Sequence, residues 1–284
     1  MTLKKDKAYE MLSEASRLQR RAYEILAQDK RILEETERLD NLAIQAISTP
    51  ELKTGALIMD KYRVCTALGM NVYMITDLDT DRIYLVKVGM EGNSLLETGY
   101  EVSKDLADIE GIPRPVEKIN YKGKVFVLYE YIPGENFAIT TPRNVKKAII
   151  ELCRIVREVH KRGYIHRDIK PSNIILDMQG HVHLIDFDIA VKKNGTGGAV
   201  IEQAMGTPKY APPEAYKSNG TIQQNVDIYS IGCVYRELVG RQSESRKIIE
   251  RATESDPEKR YQSIDEMLED LLPDTNEIQK LGGE

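Results

Sequence analysis

The densest run of reactive side chains is His166-Arg167-Asp168-Ile169-Lys170-Pro171-Ser172-Asn173, and Asp186-Phe187-Asp188 begins thirteen residues after Asn173. Two carboxylates, an amide and an amine in this order suit phosphoryl transfer. In that reaction the protein does little covalent work. It supplies metal ligands, a cation for the phosphate and a carboxylate that orients the attacking hydroxyl. Asp168 can accept or orient the hydroxyl proton, and Lys170 can neutralise charge on the moving group. Asn173 and Asp186 offer the hard oxygens that magnesium prefers.

These residues need elements to hold them. A helical pattern over about Arg143–Arg162 precedes the run, and strand-like stretches at Ile174–Leu176 and His181–Ile185 follow it. Upstream, short strands are predicted at Tyr62–Leu68, Val72–Asp77, Ile83–Val88 and Lys124–Tyr131. Turns at Leu78-Asp79-Thr80-Asp81 and Tyr121-Lys122-Gly123 separate them, and a helical pattern over Leu95–Asp108 interrupts them. From Arg143 onward the chain reads as mostly helical. A small sheet-rich lobe thus precedes a larger helical one, an α+β organisation.

Before the strands, residues 7–47 contain no glycine or proline, and Met11, Leu18, Ile25, Ile32 and Leu39 recur every seven residues. This predicts an amphipathic helical or coiled-coil extension over 1–50, ended by Ser48-Thr49-Pro50. One rod of ~40 residues would span about 60 Å. Asp29 and Thr36 interrupt its small-residue seam, so packing on the domain behind it and self-association or partner binding both remain open. The main domain is expected over 58–272, with a C-terminal tail over 273–284.

Of the 284 residues, 41% are hydrophobic and 30% charged, as in a soluble globular chain; the net charge is −5 without a long basic run. Nucleic-acid binding therefore has no electrostatic footprint. No stretch approaches the roughly 20 apolar residues of a membrane span, and the charged start leads into no apolar signal region. Cys65, Cys153 and Cys233 have neither disulfide nor metal-ligand spacing and read as reduced thiols. The expected location is cytoplasmic.

Four further motifs stand in order around the first. They are Val86-Lys87-Val88, Gly206-Thr207-Pro208-Lys209-Tyr210-Ala211-Pro212-Pro213-Glu214, Asp227-Ile228-Tyr229-Ser230-Ile231-Gly232 and Asp256-Pro257-Glu258-Lys259-Arg260. Over roughly Asp60–Leu272 the chain resembles the protein kinase superfamily in its eukaryotic-like serine/threonine form. The resemblance implies a bilobal kinase fold that uses ATP and Mg2+ on a protein substrate, with autophosphorylation. It implies that Lys87 grips the α/β-phosphates and that Glu101, or alternatively Glu97, pairs with that lysine. The helix bearing Asp227 would anchor the catalytic loop, and Arg260 would pair with Glu214. Lys170 with Gly206-Thr207-Pro208 is similar to the serine/threonine branch. Glu130-Tyr131-Ile132 resembles the hinge that binds adenine through its backbone; Tyr129 before it reads equally as a core aromatic. Arg167 stands where an arginine pairs with a phosphorylated loop. Thr196, the sole hydroxyl residue of 189–205, is the candidate phosphosite or an inert loop residue.

The chain also departs from that pattern. Only Met70 and Asn71 separate Gly69 from Val72. Either part of the glycine-rich loop is missing, or 69–74 is a full-length loop that keeps one glycine. Fewer backbone N–H groups then close over the phosphates. Asp188 replaces a glycine, as a turn residue or an additional metal ligand. Asp105, one turn after Glu101, occupies a position expected to be apolar. The 32 residues between Asp227 and Arg260 are short for the family, which removes a substrate-docking surface. The expected activity is an ATP-dependent serine/threonine protein kinase. The alternatives are a pseudokinase serving as a nucleotide-binding scaffold or switch, and a small-molecule kinase, against which Glu214 and Arg260 argue.

Overall fold

A computed structural model describes residues 52–193, 198–201, 205–216, 220–240 and 245–272. The expected extension over 1–50, the tail over 273–284 and Thr196 lie outside the described residues. The chain divides into two compact units, one of residues up to 104 with 113–131, the other of 105–112 with 132 onward.

The first unit is built on one antiparallel sheet of six strands. They are β1 (Leu57–Ile58), β2 (Tyr62–Gly69), β3 (Val72–Asp77), β4 (Ile83–Met90), β5 (Pro115–Tyr121) and β6 (Lys124–Glu130), in the order β1-β2-β3-β4-β6-β5. Alternation along β4 sets its two faces. Val86 and Val88 join Ile58, Tyr62, Val64, Tyr73, Ile75, Phe126 and Leu128 in a buried cluster. β2 and β5 are not neighbours, yet Ile119 and Tyr121 pack on that cluster, and Tyr62 Oη donates to Glu117 Oε2 at 3.2 Å. The sheet therefore curls until its two ends share one core. On the other face Val125, Val127 and Tyr129 pack with Leu85, and with Leu96 and Tyr100 of helix α1 (Ser94–Asp105). Asn93 caps that helix by accepting from the Leu95 and Leu96 amides, both at 3.2 Å.

The second unit contains β7 (Gly134–Asn136), α2 (Val145–Lys161), β8 (Tyr164–Ile165), β9 (Ile174–Asp177) and β10 (Val182–Leu184). β11 (Val191–Lys192), β12 (Ala199–Ile201), β13 (Gly220–Ile222), α3 (Asn225–Val239), α4 (Arg246–Ala252) and α5 (Ile264–Leu271) follow. Asn144 Oδ1 accepts from the Lys147 amide at 2.9 Å, so α2 begins at Val145 rather than Arg143. Its buried stripe, Ile149, Leu152, Val156 and Val159, has the spacing of a core-facing helix. Of the cysteines, Cys153 and Cys233 are buried and Cys65 half-buried, all unpaired; burial pushes the Cys153 thiol up to about 12.

Several expectations need correction. β5 went unforeseen because it starts at Pro115, two residues after Pro113; as a sheet edge, it tolerates proline at its first position. β1 lies ahead of Tyr62, where the first strand is expected. The helix expected to run to Asp108 ends at Asp105, whose carbonyl accepts from Arg162 Nη1 at 2.9 Å. The region after Arg143 also carries β11, β12 and β13, which periodicity alone does not mark.

Gly232 lies inside α3 where α4 comes closest. A Cβ there would be 2.8 Å from both Ala252 Cβ and Thr253 Cγ2. Gly232→Val should therefore force α4 outward and destabilise the protein by about 1–3 kcal/mol. A thermal or urea unfolding curve checks this, with a clear drop of the midpoint expected.

Candidate active site

The site in the second unit is built from the inside out, beginning with a buried carboxylate. Asp227, in the first turn of α3, is fully buried. Its Oδ2 accepts from the His166 amide at 2.9 Å and lies 2.7 Å from His160 Nε2, while Oδ1 accepts from the Arg167 amide at 2.9 Å. Burial alone would raise its pKa; the hydrogen bond and charge of His160 and the contacts from His166 outweigh it and hold the carboxyl below its ordinary range. Two consecutive amides are thereby fixed just before Asp168. Arg167 adopts φ +70°, a left-handed conformation that costs a non-glycine residue about 1–3 kcal/mol.

His166 makes the next connection. Its Nε2 donates to the Ile185 carbonyl at 3.1 Å, and its Nδ1 accepts from the Asp168 amide at 3.2 Å. Each ring nitrogen thus has one role, which defines a neutral tautomer. Burial lowers the ring's pKa against the pull of Asp227, Asp168 and Asp186. The ring also packs against Phe187, with centroids 4.7 Å apart. The Ile185 amide donates to the Asn173 carbonyl at 3.0 Å, so the backbones bearing Asn173 and Asp186 run side by side. Asp186 itself has φ +73°.

Around Asp168 three side chains converge. Lys170 Nζ lies 2.7 Å from Asp168 Oδ2, and Asn173 Nδ2 donates to the same oxygen at 3.0 Å and to the Asp168 carbonyl at 2.9 Å. Thr207 Oγ1 donates to Asp168 Oδ1 at 2.8 Å and accepts from Lys170 Nζ at 3.0 Å. Thr207 reaches this position because Gly206 turns at φ +124° beside the Arg167 carbonyl, where a Cβ would be only 3.2 Å from that oxygen. Sequence spacing brings Asp168, Lys170 and Asn173 near one another; the convergence of Thr207 on both partners is a tertiary result.

Asn173 commits its amide nitrogen to Asp168, which orients the amide and makes its oxygen the candidate ligand atom. That oxygen and the Asp186 carboxylate are hard donors of the kind magnesium takes, so this donor set fits the ion. Arg167 donates Nη1 to the Ile189 carbonyl at 3.3 Å and is nearly buried, which lowers its pKa. Arg260 is fully buried; its Nη2 donates to Glu214 Oε2 at 3.0 Å, its Nη1 bonds Glu214 Oε1, and its guanidinium lies 4.9 Å over the Tyr229 ring. This bidentate pair ties the segment after Thr207 to the loop before α5.

In the first unit, Lys87 stands on β4 opposite Val127 and Val72, on the face carrying α1, with Nζ 5.9 Å from the Tyr129 ring. The expected partner is not engaged: Glu101 and Glu97 are both exposed on α1, and among the described residues neither forms an ion pair or side-chain hydrogen bond. The reason is rotational, since α1 turns Leu96, Gly99, Val102 and Ser103 inward. The tight β2–β3 connection is also decided: Gly69 pairs with Val72, leaving a two-residue turn with Asn71 at φ +57°. Gly69 has open space for a side chain. Glu130 ends β6 and its amide donates to the Arg114 carbonyl at 2.9 Å, while its exposed carboxylate lies 3.7 Å from Arg114 Nε. Ile132, two residues on, is half-buried. Asp105, at the position expected to be apolar, accepts from Tyr164 Oη at 2.6 Å.

Sequence reasoning missed His160. Its place on the buried stripe of α2 was legible from helical spacing, but nothing in the sequence joins it to Asp227, 67 residues away.

A model of the protein kinase domain matches residues 71–280. The serine/threonine-protein kinase mrck-1 of Caenorhabditis elegans is 34% identical over 131 residues, covering 42% of this chain and 8% of that protein. The Rho-associated protein kinase let-502 of Caenorhabditis briggsae is 33% identical over 126 residues, 41% of this chain and 11% of the relative. The CBL-interacting serine/threonine-protein kinase 13 of Arabidopsis thaliana is 26% identical over 215 residues, 66% of this chain and 42% of the relative. The match thus spans about a tenth of the length of the first two relatives.

Because the Asp227 carboxylate serves three donors, Asp227→Asn should cost about 3–5 kcal/mol at neutral pH by leaving buried donors mismatched. Its depressed pKa gives stability that is present above the ordinary carboxylate range and lost as pH falls through the folded value. The stability gap between wild type and variant, read from denaturant curves, should therefore shrink below about pH 4.

Proposed function

The chain belongs to the protein kinase family, and from that premise we propose that it is an ATP-dependent serine/threonine protein kinase. It transfers the γ-phosphoryl group of ATP to protein hydroxyls, its own included. The carrying observation is the convergence of Lys170, Asn173 and Thr207 on the Asp168 carboxylate. Asp168 Oδ1 already accepts a hydroxyl hydrogen from Thr207 at 2.8 Å, so the carboxylate is held in a geometry suited to a substrate hydroxyl. Lys170 stays beside it as the cation that offsets charge on the moving phosphoryl group. Asn173 and Asp186 are the residues that would hold magnesium, which, when bound, neutralises phosphate charge. Lys87 is the candidate phosphate-binding cation of the first unit. Glu130 and Ile132 flank the candidate adenine-binding backbone.

Several finer parts of the reading rest on sequence. The kinase domain is taken to cover 58–272. Residues 1–50 serve self-association or partner binding, supported by their heptad spacing. A cytoplasmic location is supported by three unpaired cysteines. A second reading, a nucleotide-binding scaffold, draws on the two-residue turn between Gly69 and Val72, which offers few backbone donors to a phosphate. The bidentate Glu214–Arg260 pair supports a protein substrate over a small molecule.

Transfer of labelled phosphate from ATP to a generic protein substrate and to the chain itself tests the proposal. Wild type should label serine and threonine, and Asp168→Asn should lower kcat by about 10²–10⁴-fold. Lys87→Met should be similarly impaired. Equal inactivity of all three proteins, with ATP still bound, would leave the scaffold reading in its place.

A further inference from the structure

α2 turns an apolar stripe to the core, and His160 is the one imidazole among its buried residues. Its Nε2 lies 2.7 Å from Asp227 Oδ2, while its Nδ1 has no hydrogen-bond partner among the described residues. A buried polar atom left unmatched costs stability, and an apolar side chain would suit the same stripe without that cost. What the imidazole adds over such a residue is the single bond it makes, Nε2 donating to the carboxylate.

The other two donors to Asp227 are the His166 amide on Oδ2 and the Arg167 amide on Oδ1. They belong to consecutive residues and move with their loop. His160 belongs to α2, whose place is set by packing, and holds Oδ2 independently of that loop. The two amides lead directly into Asp168, where a misplacement of about 1 Å is enough to cost about 10²-fold in rate. With one nitrogen on Asp227 and the other without a partner, the ring bonds neither Asp168, Lys170 nor Asn173. We propose that His160 is a positioning residue for phosphoryl transfer, acting through Asp227 to hold the two amides that aim the Asp168 carboxylate. This rests on the reading of Asp168 as the centre of a phosphoryl-transfer site.

The test compares variants of the full chain that differ in polarity and reach. His160→Leu keeps apolar packing and loses the donor. His160→Gln returns an N–H at a reach similar to that of Nε2, and His160→Asn carries the same amide on a shorter stem. Hydrogen exchange reads the amides directly. Those of His166 and Arg167 should exchange at least about tenfold faster than wild type in His160→Leu and His160→Asn. In His160→Gln they should stay within about threefold of wild type. Phosphate transfer reads the consequence. In His160→Leu and His160→Asn kcat should fall at least about tenfold, with KM for ATP within about twofold of wild type. His160→Gln should recover kcat to within about threefold. Leu152→Ala, a truncation in the same buried stripe, controls for lost stability. Its unfolding midpoint should drop while its kcat stays within about threefold. His160→Asn carries the comparison if His160→Leu does not fold. Wild-type kcat in His160→Leu or His160→Asn, no recovery in His160→Gln, or an equal loss in Leu152→Ala overturns the proposal. A wild type that transfers no phosphate, with exchange in the expected order, overturns the reading of Asp168 instead, and the positioning role with it.

Discussion

A carboxylate with no access to water must be matched by donors or it destabilises the fold that buries it. Asp227 meets that demand with two consecutive backbone amides and one imidazole, and the rest of the site follows from which amides they are. Because they belong to His166 and Arg167, the chain must enter Asp168 along one path. Hydrogen bonds to a charged group are the stronger kind, about 1.5–3 kcal/mol each. They are enough to offset the left-handed backbone at Arg167. A helix, a loop and the Asp168 side chain are thus coupled through one buried charge.

In the second unit, the described non-glycine residues with left-handed backbone both belong to the candidate site. Among the described non-glycine residues with positive φ, Met59, Asp60, Asn71, Asp81 and Lys122 lie in turns or connections of the first unit. The remaining two are Arg167 and Asp186. Each is held by its surroundings: Arg167 by Asp227, and the segment of Asp186 by the Ile185 contacts to His166 and Asn173. His166 is the common member, since its two ring nitrogens speak to both segments. Its neutrality, enforced by burial, keeps those two roles distinct.

The apolar framework explains why so few polar contacts suffice. In the first unit the curl of the sheet gives Lys87 a rigid strand, with one neighbour face in the core and the other under α1. In the second, α2 and α3 bury stripes that hold His160 and Asp227 at 2.7 Å. Buried Arg260 and partly buried Glu214 add a bidentate ion pair, which fixes the stretch following Thr207. Position is set by packing, and the polar groups then act over short, fixed distances.

Much of this was legible in residue types and spacing. Asp168, Lys170 and Asn173 lie within six residues, so any compact loop brings them together, and Asp186 lies one strand pair away. Short apolar runs bounded by turn residues marked β3, β4 and β6, and the 3.6-residue period marked α2, because burial of a segment leaves that imprint on a sequence. Rotation of α1 could not be read, because a one-residue shift of register decides whether Glu101 faces Lys87 or solvent, and both registers carry apolar residues inward. The edge strand β5 was hidden by its proline, and β12 and β13 by their brevity. The meeting of His160 with Asp227, and of Thr207 with Asp168 and Lys170, joins positions tens of residues apart. Sequence alone determined which chemistry the chain carries, since that depends on side-chain identity and local order. Only the tertiary structure decided which of those side chains meet, because contact between distant segments is set by how helices and sheet pack.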